Sequence, residues 1–293
     1  MKPASITPLL AFQDVSIDYG SFHAVKGVTL TLRPGETLGL AGESGSGKST
    51  LGRAALRLNP LAGGAIYLDG ERISGPIPRE RARKLPGRLQ MIFQDPMASL
   101  NERAKVEYIV TEGLMNGPHR LSARDRRLAG RRALEAVGLD GALLDRFPHE
   151  FSGGQRQRIG IARALVMDPA CIIADEPVSA LDVSARAQVL NLMAQLKRQR
   201  GLGYLFISHD LALMGYFCDR IAVLCRGRLV ELAPAETLFL RPAHAYTRAL
   251  LAAALPPDPD ALRRAVPDWR LPEGDAPLRQ IAPGHFVRIE GSG

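Results

Sequence analysis

The stretch G-E-S-G-S-G-K-S-T, residues 42 to 50, fits the pattern G-x-x-x-x-G-K-[ST]. It follows an apolar segment at 36–41, which predicts a strand, and leads into a predicted helix from Lys48 to about Leu58. The glycines let backbone N–H groups close around phosphate oxygens, and the helix N-terminus adds a favourable dipole. The pattern predicts a phosphate loop in which Lys48 reaches the β- and γ-phosphates and Ser49 ligates Mg²⁺. The residues predicted to bind nucleotide here are Gly42, Glu43, Ser44, Gly45, Ser46, Gly47, Lys48, Ser49 and Thr50.

A second segment with nucleotide chemistry reads C-I-I-A-D-E, residues 171 to 176, an apolar run that ends in two acids. In an open parallel sheet, ligands gather at the carboxyl ends of the strands, so both acids are expected to face the same crevice as the phosphate loop. Asp175 suits the magnesium shell, and Glu176 suits a general base that polarises the attacking water. Standing alone, the same run would be better explained as a solvated strand end.

A second glycine turn, F-S-G-G-Q-R-Q-R, occupies residues 151 to 158. Ser152 and Gln155 fit the S-x-x-Q capping box, so the simplest interpretation is the start of a helix. A cap does not need Gly153 and Gly154, which cost helix stability but leave the backbone open to an anion. These features together predict a phosphate site that has neither a lysine nor a strand of its own.

The composition, with 46% hydrophobic and 23% charged residues, is that of an ordinary globular protein. Its net charge of +8 could indicate a partner such as nucleic acid or an anionic membrane surface. Neither basic cluster, at 79–88 or at 120–132, interleaves aromatic residues that could stack on bases. A solvated helix face is therefore favoured for both, and no nucleic-acid partner is expected.

Other features of the chain bear on its location. No apolar run approaches the roughly 18 residues needed to cross a bilayer. The N-terminal segment turns acidic too soon for a secretory signal, so we expect a cytoplasmic protein. Cys171, Cys218 and Cys225 lie in apolar contexts without CxxC spacing, which predicts buried reduced thiols.

Strand and helix patterns organise the rest of the chain. From about 96 to 166 the sequence is helix-compatible and rich in charge, whereas strands and helices alternate from 170 to 224, with one helix predicted at Val183 to Arg200. This alternation predicts an α/β fold with a mainly parallel sheet and a helical insert at about 96–166. Seven prolines after residue 255 argue against a packed core in that segment. Residues 256–293 are therefore predicted to be an extended appendage to a domain of residues 1–255.

Together with I-I-A-D-E-P, S-A-L-D and I-S-H-D, the two glycine turns resemble the ATP-binding subunit of an ATP-binding cassette transporter. Their order and spacing match that family over about residues 9 to 255. The resemblance implies a P-loop NTPase (RecA-like) core with an N-terminal antiparallel β subdomain and an inserted helical subdomain. It also implies that two nucleotide domains pair head to tail, so that the S-G-G-Q of each covers the ATP held by the other.

The resemblance implies further roles, residue by residue. Tyr19 would stack on adenine, and Gln94 would touch Mg²⁺ and the attacking water. Asp182 would link the two sites across the dimer, and His209 would contact the γ-phosphate. The implied catalytic residues are Glu176, His209 and Gln94; the implied metal ligands are Ser49, Gln94 and Asp175; Ser152, Gly153, Gly154 and Gln155 would bind the partner's ATP.

The finer resemblance is to the peptide and nickel importers, most closely to the second of their two ATPase subunits. It rests on long stretches such as P-H-E-F-S-G-G-Q-R-Q-R-I-G-I-A-R-A-L, residues 148–165, and R-P-A-H-A-Y-T-R-A-L-L, residues 241–251. The sequence departs from the family pattern at Glu102 and Ala245, where proline is usual. Both positions lie outside the ATP-binding motifs, so they bear on how the subunit docks in the complex and not on hydrolysis. The tail lacks the cysteine cluster of some relatives, so no iron–sulfur site is expected.

This resemblance implies ATP hydrolysis that powers uptake of oligopeptides or a related small solute. The implied partners are two transmembrane permease subunits, a second ATPase subunit and an extracytoplasmic solute-binding protein, with the chain at the cytoplasmic face of the inner membrane. The two ATPase subunits are expected to be different chains, and a pair of identical chains is the alternative. A cassette ATPase that acts on nucleic acid or ribosomes is the alternative, and an inactive nucleotide-binding scaffold is a weaker one.

Overall fold

A computed structural model describes residues 7–95, 99–115, 121–254 and 277–288. The chain divides into two units, the first formed by Met1–Gly75 with Leu205–Gly293 and the second by Pro76–Tyr204. Most of the proline-rich part of the predicted appendage, 256–276, lies outside the described residues, as does Pro96, where the predicted helical insert begins.

The strands are β1 Leu10–Tyr19, β2 Phe22–Leu32, β3 Thr37–Ala41, β4 Gly63–Leu68, β5 Glu71–Arg72, β6 Leu89–Ile92, β7 Cys171–Asp175, β8 Gly203–Ile207, β9 Arg220–Cys225, β10 Arg228–Pro234, β11 Leu278–Ala282 and β12 His285–Arg288. The helices are α1 Lys48–Ala55, α2 Arg79–Lys84, α3 Val106–Met115, α4 Ala123–Ala136, α5 Gly153–Leu165, α6 Val183–Arg200, α7 Leu211–Phe217, α8 Ala235–Leu240 and α9 Ala245–Ala254.

The N-terminal part of the first unit is an antiparallel sheet in the order β2-β1-β4-β5. Buried and exposed positions alternate along much of β1 and β2, which buries one face of this pair. Strand β1 pairs with both β2 and β4, and Leu10 faces Leu32 on one side and Leu68 on the other. The predicted antiparallel β subdomain is confirmed.

A second sheet carries the phosphate loop in the first unit. Its strands there follow the order β11-β12-β10-β9-β3-β8, and β3 runs parallel to β9. Every residue of β3 is buried, as expected for a strand covered on both faces. Helix α1 ends at Ala55, three residues before the predicted Leu58, because Arg57 adopts a positive φ of 63° and donates to the carbonyl of Ile73.

The second unit combines a parallel strand pair with helices. Strand β6 runs parallel to β7, and β7 is buried over its whole length. Helices α3, α4 and α5 bury apolar residues such as Val110, Leu134 and Ile159. These three helices lie within the stretch predicted to be helical, and α6 spans the predicted range of Val183 to Arg200. Taken with the parallel pairing in each unit, this confirms the predicted α/β fold class.

The end of the chain differs from the predicted extended appendage. Strands β11 and β12 form an antiparallel hairpin, and β12 pairs with β10 in the first unit. The turn between them is made possible by Gly284, which has a φ of 72°. Val287 is 3% exposed, so this segment contributes to the core despite the prolines before it.

The cysteines match the sequence-based expectation. Cys171, Cys218 and Cys225 are all buried thiols, which confirms that prediction. Among the helices that the structure describes, none combines the length and the apolar character required to span a bilayer.

Candidate nucleotide site

The phosphate loop is shaped by glycines that no other residue could replace. Gly42 has a φ of 141°, and a Cβ there would lie 2.1 Å from the Leu224 carbonyl oxygen. Gly47 has a φ of 99°, and its Cβ would lie 2.6 Å from the Ala24 carbonyl oxygen. Both positions combine a left-handed backbone with contact to a neighbouring main chain. The loop conformation is therefore set by packing in the first unit.

Lys48 lies inside this loop and is only 5% exposed. Its Nζ donates to the carbonyl oxygens of Gly42 at 2.8 Å and Glu43 at 2.6 Å, and to Ser46 Oγ at 3.2 Å. Gly47 precedes α1 in a left-handed conformation, and no side chain of the described residues caps this N-terminus. A buried ammonium beside an uncapped helix start is well suited to phosphate oxygens, so the residues present fit a nucleoside triphosphate.

Two other predicted residues lie in the first unit. Tyr19 ends β1 with half of its surface exposed, and it faces Phe22, 61% exposed, across a tight turn at Gly20. An exposed pair of aromatic rings can stack on a base. His209 is exposed and lies two residues after the end of β8. Phe22 was missed from the sequence, although its place directly after the Y-G-S turn could have revealed it.

The acidic strand end lies in the second unit. Asp175 is the last residue of β7 and is 1% exposed. Glu176 follows it with a φ of 46°, a conformation that non-glycine residues rarely adopt. The Gln94 amide Nε2 donates to Glu176 Oε2 at 2.9 Å, so the structure brings these two predicted residues together. The hydrogen bond fixes the direction of the carboxylate.

The second glycine turn forms the predicted capping box. The Gln155 N–H donates to Ser152 Oγ at 3.3 Å, and the Ser152 N–H donates to Gln155 Oε1 at 3.0 Å. This turn lines a cavity of about 450 Å³ in the second unit. Cβ atoms at Gly153 and Gly154 would meet neighbours at 3.7 and 3.4 Å, which are ordinary contacts. The fold of this unit does not require glycine at either position, in contrast to Gly42 and Gly47.

Asp182 lines the same cavity at the start of α6. Its carboxylate accepts the Ala185 N–H at 2.8 Å, so it serves as the N-cap of the helix. Val183 next to it is 82% exposed, a large value for an apolar side chain.

Two residues near the predicted set were missed from the sequence. Arg163 of α5 donates to the Ser99 carbonyl oxygen at 2.6 Å, and its guanidinium lies 5.7 Å from the centre of the Phe93 ring, next to Gln94. Burial lowers the pKa of this guanidinium. The Tyr246 hydroxyl accepts the Glu43 N–H of the phosphate loop, and burial raises the pKa of Tyr246 to about 12. The contacts of Arg163 with Ser99 and of Tyr246 with Glu43 join residues far apart in the sequence, so no local pattern predicts them.

Comparison with known proteins adds to this geometry. A family model described as "ABC transporter" matches residues 25–179. The chain is 51% identical to the oligopeptide transport ATP-binding protein AmiF of Streptococcus pneumoniae, over 95% of this chain and 94% of that protein. It is 48% identical to the oligopeptide transport ATP-binding protein OppF of Bacillus subtilis, over 92% of this chain and 90% of that protein.

Solved structures show the same likeness at lower identity. The structure of cbiO1 from Clostridium perfringens, part of the ABC transporter complex cbiONQ, matches with a TM-score of 0.72 and 28% identity over 80% of this chain and 92% of that one. The dimeric structure of MJ0796, a bacterial ABC transporter cassette, matches with a TM-score of 0.69 and 26% identity over 77% of this chain and 98% of that one. On the family match and the relatives together, the chain belongs to the ABC transporter family.

Proposed function

We propose that this chain is an ATPase subunit that hydrolyses ATP to energise oligopeptide uptake by a membrane transporter. The observation that carries this proposal is its likeness, over nearly its whole length, to relatives named oligopeptide transport ATP-binding proteins. The fit of the phosphate loop to a triphosphate supports the same conclusion. Neither the relatives nor the geometry favours action on nucleic acid.

In the proposed reaction, the protein positions ATP and stabilises charge, and it forms no covalent intermediate. Lys48 and the amides at the start of α1 hold the β- and γ-phosphates, while Tyr19 stacks on adenine. Ser49, Asp175 and Gln94 would hold Mg²⁺, which neutralises charge on the phosphates when bound. Glu176 accepts a proton from the attacking water, and His209 contacts the γ-phosphate.

The two glycine turns are proposed to serve different ATP molecules. Ser152 to Gln155 lack a lysine, and their glycines are not required by the packing of their own unit. An open backbone at the start of a 13-residue helix is suited to a phosphate supplied by a second ATPase subunit. The exposed Val183 beside Asp182 is consistent with a surface that another chain covers.

This assignment predicts the effect of Gly153→Ala. Since a Cβ at Gly153 meets nothing closer than 3.7 Å and alanine favours a helix more than glycine does, the variant is expected to melt no lower than the wild type. Its ATP turnover in the assembled complex is expected to fall about tenfold, because the methyl group occupies the space of a phosphate contact worth about 1.4 kcal/mol. Steady-state phosphate release and thermal melting of the purified complex measure the two quantities.

Gly160→Ala is the matched control, since it adds the same methyl group to the same helix and meets nothing within 4 Å. Its turnover is expected to equal that of the wild type. Equal turnover in the Gly153→Ala and wild-type complexes would contradict the proposed role of the second glycine turn.

The proposed partners are two permease subunits, a second ATPase subunit that differs from this chain, and a solute-binding protein on the outer side. The chain would then lie at the cytoplasmic face of the membrane. Gentle extraction from native membranes, followed by affinity capture and mass spectrometry, tests this assembly. We expect two multi-span proteins and a second S-G-G-Q chain, whereas recovery with ribosomes or nucleic acid would contradict the proposal.

A further inference from the structure

The Tyr246 ring is 1% exposed near the start of α9, and its hydroxyl lies against the phosphate loop. The Glu43 N–H donates to the Tyr246 hydroxyl oxygen at 3.0 Å. The carbonyl oxygen of the same residue, Glu43, accepts the Lys48 ammonium at 2.6 Å. The second residue of the phosphate loop is thus held at both its N–H and its C=O, one by a residue 203 positions away.

The segment that presents Tyr246 is built on a buried carboxylate. Glu231 on β10 is fully buried, and its two oxygens accept the N–H groups of Ala243 at 2.8 Å and His244 at 3.0 Å. His244 Nδ1 in turn accepts the Tyr246 N–H at 3.1 Å. Because a buried carboxylate is costly unless it is fully hydrogen-bonded, these contacts fix the turn that leads into α9.

The C-terminal hairpin completes this arrangement. His285 on β12 is 3% exposed, and its Nε2 lies 2.7 Å from Glu231 Oε1. On the same strand, Arg288 Nε donates to the Leu229 carbonyl oxygen at 3.1 Å. The hairpin, the turn at 243–246 and the phosphate loop are therefore joined through consecutive hydrogen bonds within the first unit.

A purely structural role would require only the ring of Tyr246, since the ring fills the core and phenylalanine would fill it equally. The hydroxyl also contacts a main-chain amide of the phosphate loop, in addition to its hydrogen bond with the Cys225 side chain on β9. We propose that Tyr246 is a positioning residue for the phosphate loop, and that the C-terminal hairpin sets its position through His285 and Glu231. The inference rests on the proposed binding of ATP and adds a distant element to the nucleotide site. A loop held in its binding conformation loses less entropy when the nucleotide binds.

Equilibrium binding of ATP and of ADP to the purified full-length chain tests this inference. Tyr246→Phe is expected to weaken both affinities about fivefold, the effect of one neutral hydrogen bond, and to raise KM rather than lower kcat in the assembled complex. Tyr204→Phe, which removes another buried tyrosine hydroxyl, is the matched control and is expected to bind as the wild type does. Melting temperatures show that each variant is folded at the assay temperature.

The hairpin is tested with two substitutions of His285. His285→Leu removes the group that contacts Glu231, and it is expected to weaken ATP binding with no further loss when combined with Tyr246→Phe. His285→Gln keeps a donor and is expected to restore binding. The inference would be overturned if the wild type binds ATP and Tyr246→Phe binds it with the same affinity. Equal losses of affinity in Tyr246→Phe and Tyr204→Phe would also overturn it. Failure of the wild type to bind ATP would overturn the proposed function, and the inference with it.

Discussion

Replacing Glu176 with glutamine is expected to lower ATP turnover about 100-fold or more, the usual effect of removing a general base, while leaving ATP binding little changed. The glutamine side chain has the same size and can keep a hydrogen bond to Gln94, but it cannot accept the proton of the attacking water. Glu176 follows the buried Asp175 with a φ of 46°, and glutamine is no worse suited than glutamate to that conformation. Phosphate release and ATP binding, measured on the same preparation, separate the two effects.

Glu135→Gln is the matched control for this variant. Glu135 is an exposed carboxylate of α4, paired only with Arg131 at the surface of the second unit among the contacts described. Its replacement removes the same charge and is expected to leave turnover unchanged. Full ATPase activity in the Glu176→Gln complex would show that another group is the base.

The second large effect is expected for Lys48→Met, which should weaken ATP binding about 100-fold or more. Hydrogen bonds to charged groups contribute about 1.5–3 kcal/mol each, and each 1.4 kcal/mol changes affinity tenfold. Methionine keeps the apolar stem of Lys48, so the helix and its packing are retained. Titration with ATP, followed by calorimetry or by a fluorescent analogue, gives the affinity.

Arg53→Met removes one positive charge from the exposed face of the same helix and serves as the control. It is expected to bind ATP as the wild type does. Equal affinities for the wild type and Lys48→Met would contradict the role of the loop, whereas equal losses in both variants would indicate only a general effect of charge.

Local patterns predicted the parts of the site that depend on local geometry. Gly42 to Ser49 form a glycine loop before a helix because a left-handed backbone and an N-terminus are needed within a few residues. The Ser152 and Gln155 capping box was predicted for the same reason, since both partners lie three residues apart. The range of α6 agrees with the prediction, and the structure adds the N-cap of Asp182 at its start.

Contacts between distant parts of the chain were not predicted. The C-terminal hairpin pairs with β10 through residues more than 50 positions away, and the prolines before it suggested an extended tail. The buried pair of Glu231 and His285 is equally nonlocal, because each residue alone resembles a surface residue in the sequence. The hydrogen bond from Glu43 to Tyr246 likewise depends on how α9 packs, which no local pattern specifies.

The most direct test of the proposed function is ATP-dependent peptide uptake by the native complex in proteoliposomes. A labelled oligopeptide, the solute-binding protein and ATP on the side of the ATPase subunits are supplied, and uptake is followed with the wild-type chain and with Glu176→Gln. We predict uptake that requires ATP and that falls to background in the variant. Uptake without ATP, or at the wild-type rate in the variant, would contradict the conclusion that this chain powers transport by hydrolysing ATP.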